Sequence, residues 1–318
     1  MAHGERAARP CPRQRVAPTI GAGRPHPLGV TAVRILFGTD GSDAACRALE
    51  QLVASFVLPA TTVVEVLAVE PADFGSGVGA DGIAAANIAV ALRRLAAEGI
   101  NGTGLVAFGD PATELIARAE ATSPDLVVLG ADRGGATGPH PLASSIGHVA
   151  ATVALEGHAS VLVSTGGGGI RRIVLGSDGS SEAERAMALL CGMPFRGQPE
   201  VVVVSVADRP AERSGGLLAE GGSIGSSSRE AVEVARAIAD EAADRLRGSA
   251  VRTLVRTPVG PAAEQLPVIA KEVAADLVVV GTRGLGALQR RRVGSVTAGL
   301  LGRMPTSILI ARAAPEPP

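Results

Sequence analysis

A set of spaced glycines next to basic residues is the part of this sequence best suited to chemistry. Gly281 and Gly284 are followed, after nine further residues, by Gly294 and Ser295, which gives the spacing G-x2-G-x9-G-S. Glycines allow a backbone to come close to a ligand because they carry no Cβ. A helix beginning at Gly294-Ser295 would direct free N–H groups at phosphate oxygens, and the Ser295 hydroxyl could cap that helix or donate to phosphate. The spacing therefore predicts a phosphate-binding loop, although glycine pairs alone also serve ordinary turns.

Cationic residues accompany this loop. Arg283 lies inside it, and a run of three arginines occupies positions 290–292. An arginine run in a loop is usually a solvated surface, so no more than one of the three need contact phosphate.

The chain contains two copies of one unit. Residues 33–42 match 171–180, an offset of 138 (178 − 40), and residues 124–130 match 275–281, an offset of 151 (276 − 125). The increase in offset predicts extra residues in the second copy, which we assign to a Gly/Ser-rich flexible loop at 209–228. Four glycines at 166–169 predict a linker, residues 166–170 in all. The domains are then expected at 32–165 and 171–313.

The first 31 residues carry Arg and Pro without an apolar segment. They predict a disordered tail rather than a signal peptide. One hypothesis is that translation starts at Val30, immediately before the first domain, and N-terminal sequencing of the native protein would test it.

Each copy alternates apolar strand segments with helical patterns. In the second copy we predict strands at 172–177, 200–207, 250–256, 276–281 and 306–311, and helices at 181–191, 229–247, 262–274 and 295–303. Such alternation predicts an α/β fold with parallel strands covered by helices on both faces. Ligands of such sheets bind beyond the carboxyl ends of the strands, where the strand order reverses. Asp178 follows the first strand of the second copy and Gly281 ends its fourth, although Asp178 has a simpler alternative role as the N-cap of the next helix.

Composition excludes several classes. The net charge is −1 and aromatic residues make up 2%, with no Trp or Tyr, which argues against nucleic-acid binding. Three widely spaced cysteines favour a reducing compartment, and no apolar stretch is long enough for a membrane span, so a cytoplasmic location is expected. The five histidines show no metal-ligand spacing. The one lysine, Lys271, is not in a G-x4-G-K loop, which excludes a P-loop enzyme of the usual form.

Three features together resemble the universal stress protein family: Asp-Gly-Ser after the first strand, the Asp-Leu-Val-Val-Val-Gly strand, and the G-x2-G-x9-G-S loop. The resemblance covers both copies and indicates a tandem member. It implies two doubly wound five-stranded parallel sheets of order 3-2-1-4-5, an adenine nucleotide alpha hydrolase-like fold, and ATP binding in one branch of the family. By position, the adenosine would lie near Gly176, Ser177 and Asp178, and the adenine near Val206. The ribose and phosphates would lie near Val280, Gly281, Arg283, Gly284, Gly294, Ser295 and Val296.

The first copy departs from this pattern. Asp40, Val69, Gly130, Arg133, Gly134 and Ser145 match, but the loop holds an additional acid, Asp132, and Ser144-Ser145 stands where the pattern has Gly-Ser. Nucleotide binding at the first copy is therefore an open alternative, with weaker affinity than at the second.

A phosphate-binding loop without catalytic apparatus predicts a nucleotide-dependent regulator or sensor, and the resemblance implies that the nucleotide is ATP, with or without Mg²⁺, and that the role is in stress response. The alternatives are a scaffold of the same fold that binds no nucleotide, and a slow ATPase with Asp178 as base. ATP is not distinguished from ADP, AMP or a cyclic nucleotide. The two copies are expected to pack as a pseudo-twofold pair, with the last strands, 161–164 and 308–311, as candidates for pairing, and a homodimer is a further alternative.

Overall fold

The computed structural model describes residues 33–70, 80–132, 146–207, 224–247, 251–282, 294–303 and 305–312. Within those ranges, no helix has both the length and the apolar character that crossing a membrane requires.

The first copy alternates strands and helices along its whole length. Its elements are β1 (Arg34–Gly38), α1 (Asp43–Ser55), β2 (Val63–Glu70), α2 (Ala80–Ala97), β3 (Asn101–Phe108), α3 (Pro111–Thr122), β4 (Leu126–Gly130), α4 (His148–Glu156) and β5 (Val161–Ser164). Most of the strands are rich in branched aliphatic residues and buried on both faces, as parallel strands between helices require, whereas the outer strand β3 begins Asn-Gly-Thr-Gly and is only partly buried.

The second copy repeats this order. Its elements are β6 (Arg172–Gly176), α5 (Ser181–Gly192), β7 (Glu200–Val204), α6 (Ile224–Arg247), β8 (Arg252–Arg256), α7 (Ala262–Glu272), β9 (Leu277–Gly281), α8 (Ser295–Leu301) and β10 (Ser307–Ala311). The predicted strands and helices all occur, with ends that differ by a few residues.

One predicted loop is partly wrong. The backbone is helical from Ile224 onward, so the last five residues of the segment assigned to a loop, 224–228, belong to α6. Extending an existing helix costs much less than starting one, which allows three serines without apolar periodicity to join the helix. The remainder of that segment, 209–223, lies outside the described residues.

The strand order confirms the doubly wound topology. All ten strands form one sheet in the order β3-β2-β1-β4-β5-β10-β9-β6-β7-β8, so each copy has the order 3-2-1-4-5. Strands pair in parallel within each copy, and β5 pairs with β10 antiparallel, with Leu162 opposite Leu309. The two last-strand edges therefore meet within one chain. The order reverses between β1 and β4 and between β6 and β9, which defines one switch point in each copy.

Two apolar layers cover the sheet. One packs beneath α1, α2, α5 and α6, and the other beneath α3, α4, α7 and α8. Strand residues alternate between them: Ile35 and Phe37 belong to the first layer and Leu36 to the second. Both layers contain residues of both copies, so the hydrophobic core is continuous through the chain.

Candidate functional site

The loop after β6 forms one border of the second switch point. The Asp178 carboxylate accepts the backbone N–H of Ser180 at 3.0 Å, and Gly179 has φ of 76°. The hydroxyl of Ser180 in turn accepts the Ala183 N–H at 3.2 Å and caps α5. Ser180, rather than Asp178, is thus the N-cap, and Asp178 shapes the turn that precedes it.

The first copy repeats this turn. Asp40 accepts the Ser42 N–H at 2.9 Å, Gly41 has φ of 77°, and Ser42 caps α1. The glycine between the two polar residues is required in both copies because its backbone is left-handed.

Gly281 is explained by packing inside the protein. A Cβ at this position would lie 2.7 Å from the carbonyl carbon and oxygen of Glu182, in the first turn of α5. Gly130 repeats the arrangement, with the Ala44 carbonyl carbon 2.4 Å from the place of a Cβ. The reason for glycine at Gly281 is therefore the close approach of a strand end to a helix, which differs from the ligand approach inferred from the sequence.

The first turn of α8 is attached to the end of β9. The N–H of Gly294, the N-cap residue, donates to the Thr282 carbonyl at 2.7 Å. The hydroxyl of Thr297, which is buried, donates to the Gly281 carbonyl at 2.9 Å. The sequence predicted that α8 begins at Gly294-Ser295, and the structure confirms this start.

Apolar residues fill the space between the carboxyl ends of β6 and β9. The place of a Cβ on Gly176 lies 3.2 Å from Val280 Cγ1, which brings the ends of β6 and β9 together. Val280 is buried, and Val206 and Val296 are partly buried against the same apolar layer. Ser177 continues from β6 and donates its N–H to the Val204 carbonyl at 2.9 Å. The structure thus brings Gly176, Val280, Gly281, Gly294 and Val296 to one edge of the sheet.

The first copy has a different residue where the second has Ser295. His148 lies 13 positions before Val161 and Ser295 lies 13 before Ile308 (161 − 148 and 308 − 295), and each is the first residue of its helix. Val161 and Ile308 are equivalent because they pair with equivalent positions of β4 and β9. Gly147-His148 is therefore the counterpart of Gly294-Ser295. This corrects the assignment of that role to Ser144-Ser145, since loop length cannot be counted from glycine spacing alone.

Six predicted site residues lie outside the described residues: Arg283, Gly284, Arg133, Gly134, Ser144 and Ser145. Val69 is described, and it is partly buried against the same apolar layer as its second-copy counterpart, Val206.

Sequence reasoning did not single out Asp110 and His148, which border the first switch point. Asp110 caps α3, accepting the Thr113 hydroxyl at 2.7 Å and its N–H at 2.9 Å. These hydrogen bonds, with a smaller effect from His148, hold the pKa of the Asp110 carboxyl below its usual value. The signal for this cap was Asp followed by Pro111 at the first helical position. Nδ1 of His148 is buried without a hydrogen-bond partner.

No group of three or more His, Cys, Asp or Glu side chains is arranged to hold a metal ion in the part of the chain that the structure describes.

This architecture, two doubly wound α/β units with one switch point in each, defines the class of the protein. The universal stress protein family model matches residues 33–164 and 169–312, and the chain belongs to that family. Among curated proteins, no sequence matches the chain.

Of three solved structures that match, two cover most of the chain and share its fold, and the third matches less than half of it. A universal stress protein from Archaeoglobus fulgidus DSM 4304 is 16% identical, covers 89% of this chain and 97% of its own, and has a TM-score of 0.60. A functionally unknown protein from Pseudomonas aeruginosa PAO1 is 15% identical, covers 89% of this chain and 93% of its own, and has a TM-score of 0.60. A universal stress protein solved in complex with cAMP is 26% identical over 45% of this chain and 97% of its own, with a TM-score of 0.30.

Proposed function

We propose that the second copy binds ATP and that the chain acts as a nucleotide-dependent regulator or sensor in stress response. The observation that carries the proposal is the attachment of Gly294 to Thr282 at 2.7 Å. That hydrogen bond holds the first turn of α8 at the end of β9, beside β6, at the point where strand order reverses. Open α/β sheets bind their ligands at such points.

The chemistry of the surrounding groups fits a nucleotide. Gly294, the N-cap residue of α8, has no side chain that could accept the N–H groups of the first helical turn. Those N–H groups are therefore not capped by Gly294 and suit a ligand oxygen. The turn at Asp178 and the partly buried Val206 lie at the ends of the two neighbouring strands and offer a carboxylate and an apolar contact for a nucleoside.

We assign the site residues as follows. Gly176, Ser177, Asp178 and Val206 contact the adenosine. Val280, Gly281, Arg283, Gly284, Gly294, Ser295 and Val296 surround the ribose and phosphates. Mg²⁺ needs no protein cage at such a site, because nucleotide phosphates and water supply most of its ligands.

Regulation follows if the nucleotide binds two conformations of the protein with different affinity, because only then does occupancy change their populations. We infer binding without efficient turnover, since the chain has no lysine in a P-loop. Hydrolysis, if it occurs, would use Asp178 as base and would be slow.

The test is mass spectrometry of nucleotide released by acid from purified protein, together with calorimetric titration of ATP, ADP, AMP and cAMP. We expect ATP to be released and to titrate at a site that Ser295→Asp abolishes. An acid at the first helical position favours the helix dipole, so this variant retains the fold while it repels phosphate. Ser295→Ala is the matched control and should weaken binding less. A folded protein that neither releases nor titrates any of the four nucleotides would contradict the proposal and favour the scaffold alternative.

A further inference from the structure

The two switch points differ in charge at equivalent positions. The residue before α3 is Asp110, whereas its counterpart before α7 is Pro261. The second residue after β4 is Asp132, whereas the second after β9 is Arg283. The first residue of α4 is His148, whereas α8 begins with Ser295. Asp40 and Asp178 are the same in both copies.

The connections that follow β4 and β9 also differ in charge, and the second copy is again the more positive. Residues 133–145 contain one arginine, Arg133, and no acid, whereas residues 283–293 contain four arginines and no acid. Counting Asp40, Asp110 and Asp132 with Arg133 gives a charge of −2 for the first copy. Counting Asp178 with the four arginines gives +3 for the second.

The structure places two of these first-copy residues directly at the start of α4. The Cβ of Asp132 lies 3.4 Å from the place of a Cβ on Gly147, the N-cap of α4. His148, the next residue, contributes to the lowered pKa of the Asp110 carboxyl, although less than the hydrogen bonds from Thr113 do. Two acidic residues therefore lie near the start of α4, the region equivalent to the proposed phosphate site.

We propose that Asp110, Asp132 and His148 exclude phosphate-bearing ligands from the first copy, so that each chain binds one nucleotide, at the second. This inference rests on the proposed function. Both carboxylates are exposed, so each repels phosphate oxygens over short distances, before water and salt screen the charge. His148 is the first residue of α4, the position that a serine holds in the second copy, and its imidazole is bulkier than a hydroxymethyl group and leaves less room for a phosphate.

The first experiment is a calorimetric titration of the full chain with Mg-ATP. We expect one site per chain in the wild type and none in Ser295→Asp. Two sites per chain, one of them retained in Ser295→Asp, would overturn this inference and leave the proposed function standing. No binding to any form of the chain would instead overturn the proposed function, and this inference with it.

The second experiment converts the first copy toward the second with Asp110→Asn, Asp132→Arg and His148→Ser combined. Asn caps helices as well as Asp, so α3 should be retained. We expect a second binding event, at least about tenfold tighter than any first-copy binding in the wild type, because two like charges are removed and one opposite charge is added. The unchanged second-copy site reports correct folding in the same titration.

Glu120→Arg is the control for added positive charge, since it raises the formal net charge by 2 where the triple variant raises it by 3. Its side chain is 53% exposed on α3, where it pairs with His158, which precedes the start of β5. It should leave the stoichiometry at one. A triple variant that still binds one nucleotide, or a control that also gains a second site, would show that these three residues do not set the exclusion.

Discussion

Substitution of Gly281 tests whether glycine is needed there for packing of β9 against α5 or for the approach of a ligand. A Cβ there would lie 2.7 Å from backbone atoms of Glu182, which cannot rotate away as a side chain could. We expect Gly281→Ala to lower the free energy of unfolding by about 2–3 kcal/mol in the absence of nucleotide, as overpacking does. Urea unfolding followed by far-UV circular dichroism measures the change.

Gly192 is the control for this substitution. It is the last residue of α5, and no atom lies within 4 Å of the place of its Cβ. Gly192→Ala should leave stability unchanged or raise it slightly, because Ala favours a helix over Gly. If Gly281→Ala is as stable as the wild type without nucleotide, then packing is not the reason for glycine, and ligand approach becomes the better explanation.

The glycine spacing predicted the location of these residues better than their role. A pattern of glycines shows that a Cβ is not tolerated, but it does not show which atoms exclude it. At Gly281 the excluding atoms belong to a helix more than 90 residues away in sequence (281 − 182), a contact that only the folded sheet creates. The alternative role of Asp178 as N-cap was wrong by two residues, because Ser180 caps α5 and Asp178 accepts the Ser180 N–H in the turn before it.

At the scale of elements, the N-cap of α3 makes a pH-dependent contribution to stability. The folded-state pKa of Asp110 is lowered, chiefly by the Thr113 hydroxyl. A lowered pKa means that the contribution is present above the unfolded-state value of 3.8 and is lost as the pH falls through the folded-state pKa. We expect Asp110→Ala to cost about 1 kcal/mol at pH 7 and clearly less near pH 3.

Asp110→Asn separates capping from charge. Asn accepts the same hydrogen bonds and does not titrate, so its effect on stability should vary little between the two pH values. Denaturant unfolding of both variants at each pH measures the difference. An Asp110→Ala effect that is equally large at pH 3 and pH 7 would show that the ionised carboxylate is not the stabilising species.

Elements with local signals could be predicted closely, and so could the start of α8 after its long connection, but the equivalent position in the first copy could not. β6 and α5 are bounded by an apolar run and a Ser cap, and their predicted limits differ from the observed ones by one residue at most. In the first copy, Ser144-Ser145 was matched to the Gly-Ser of the second-copy loop, whereas the counterpart is Gly147-His148, three residues later. The connection between β4 and α4 differs in length from that between β9 and α8, and connections tolerate such differences without changing the fold.

At the scale of the molecule, the seam between the copies is both apolar and polar. Phe56 and Phe195 stack at a centroid distance of 5.0 Å, on the side where the N–H of Arg196 donates to the Ser55 carbonyl at 2.6 Å. Near one end of the β5–β10 pair, the hydroxyls of Ser164 and Ser307 both donate to Oε1 of Gln51, at 2.6 and 2.8 Å. The seam therefore joins the copies through main chain, side chains and core together.

Internal repetition predicted that the copies would be alike, and apolar last strands predicted where they could pair. The role of Gln51 could not be predicted, because its counterpart 138 positions later is Leu189 and the repeat itself gives no reason for a buried amide. The need for the Gln51 amide appears only when β5, β10 and α1 come together in the fold. The buried hydroxyls of Ser164 and Ser307 then share the amide oxygen as an acceptor.

Replacement of Gln51 tests whether the two copies unfold as one unit. Gln51→Ala leaves the hydroxyls of Ser164 and Ser307 without their shared acceptor and creates a cavity, so we expect a loss of about 2–4 kcal/mol. Because both apolar layers run through both copies, the loss should lower the midpoint of a single transition in differential scanning calorimetry. The exposed neighbour Glu50, changed to Ala, should alter the midpoint little. The contrary result would be a Gln51→Ala thermogram with two transitions, in which the second copy unfolds at its wild-type temperature. That result would mean that the Gln51 amide, and not the continuous core, couples the unfolding of the two copies.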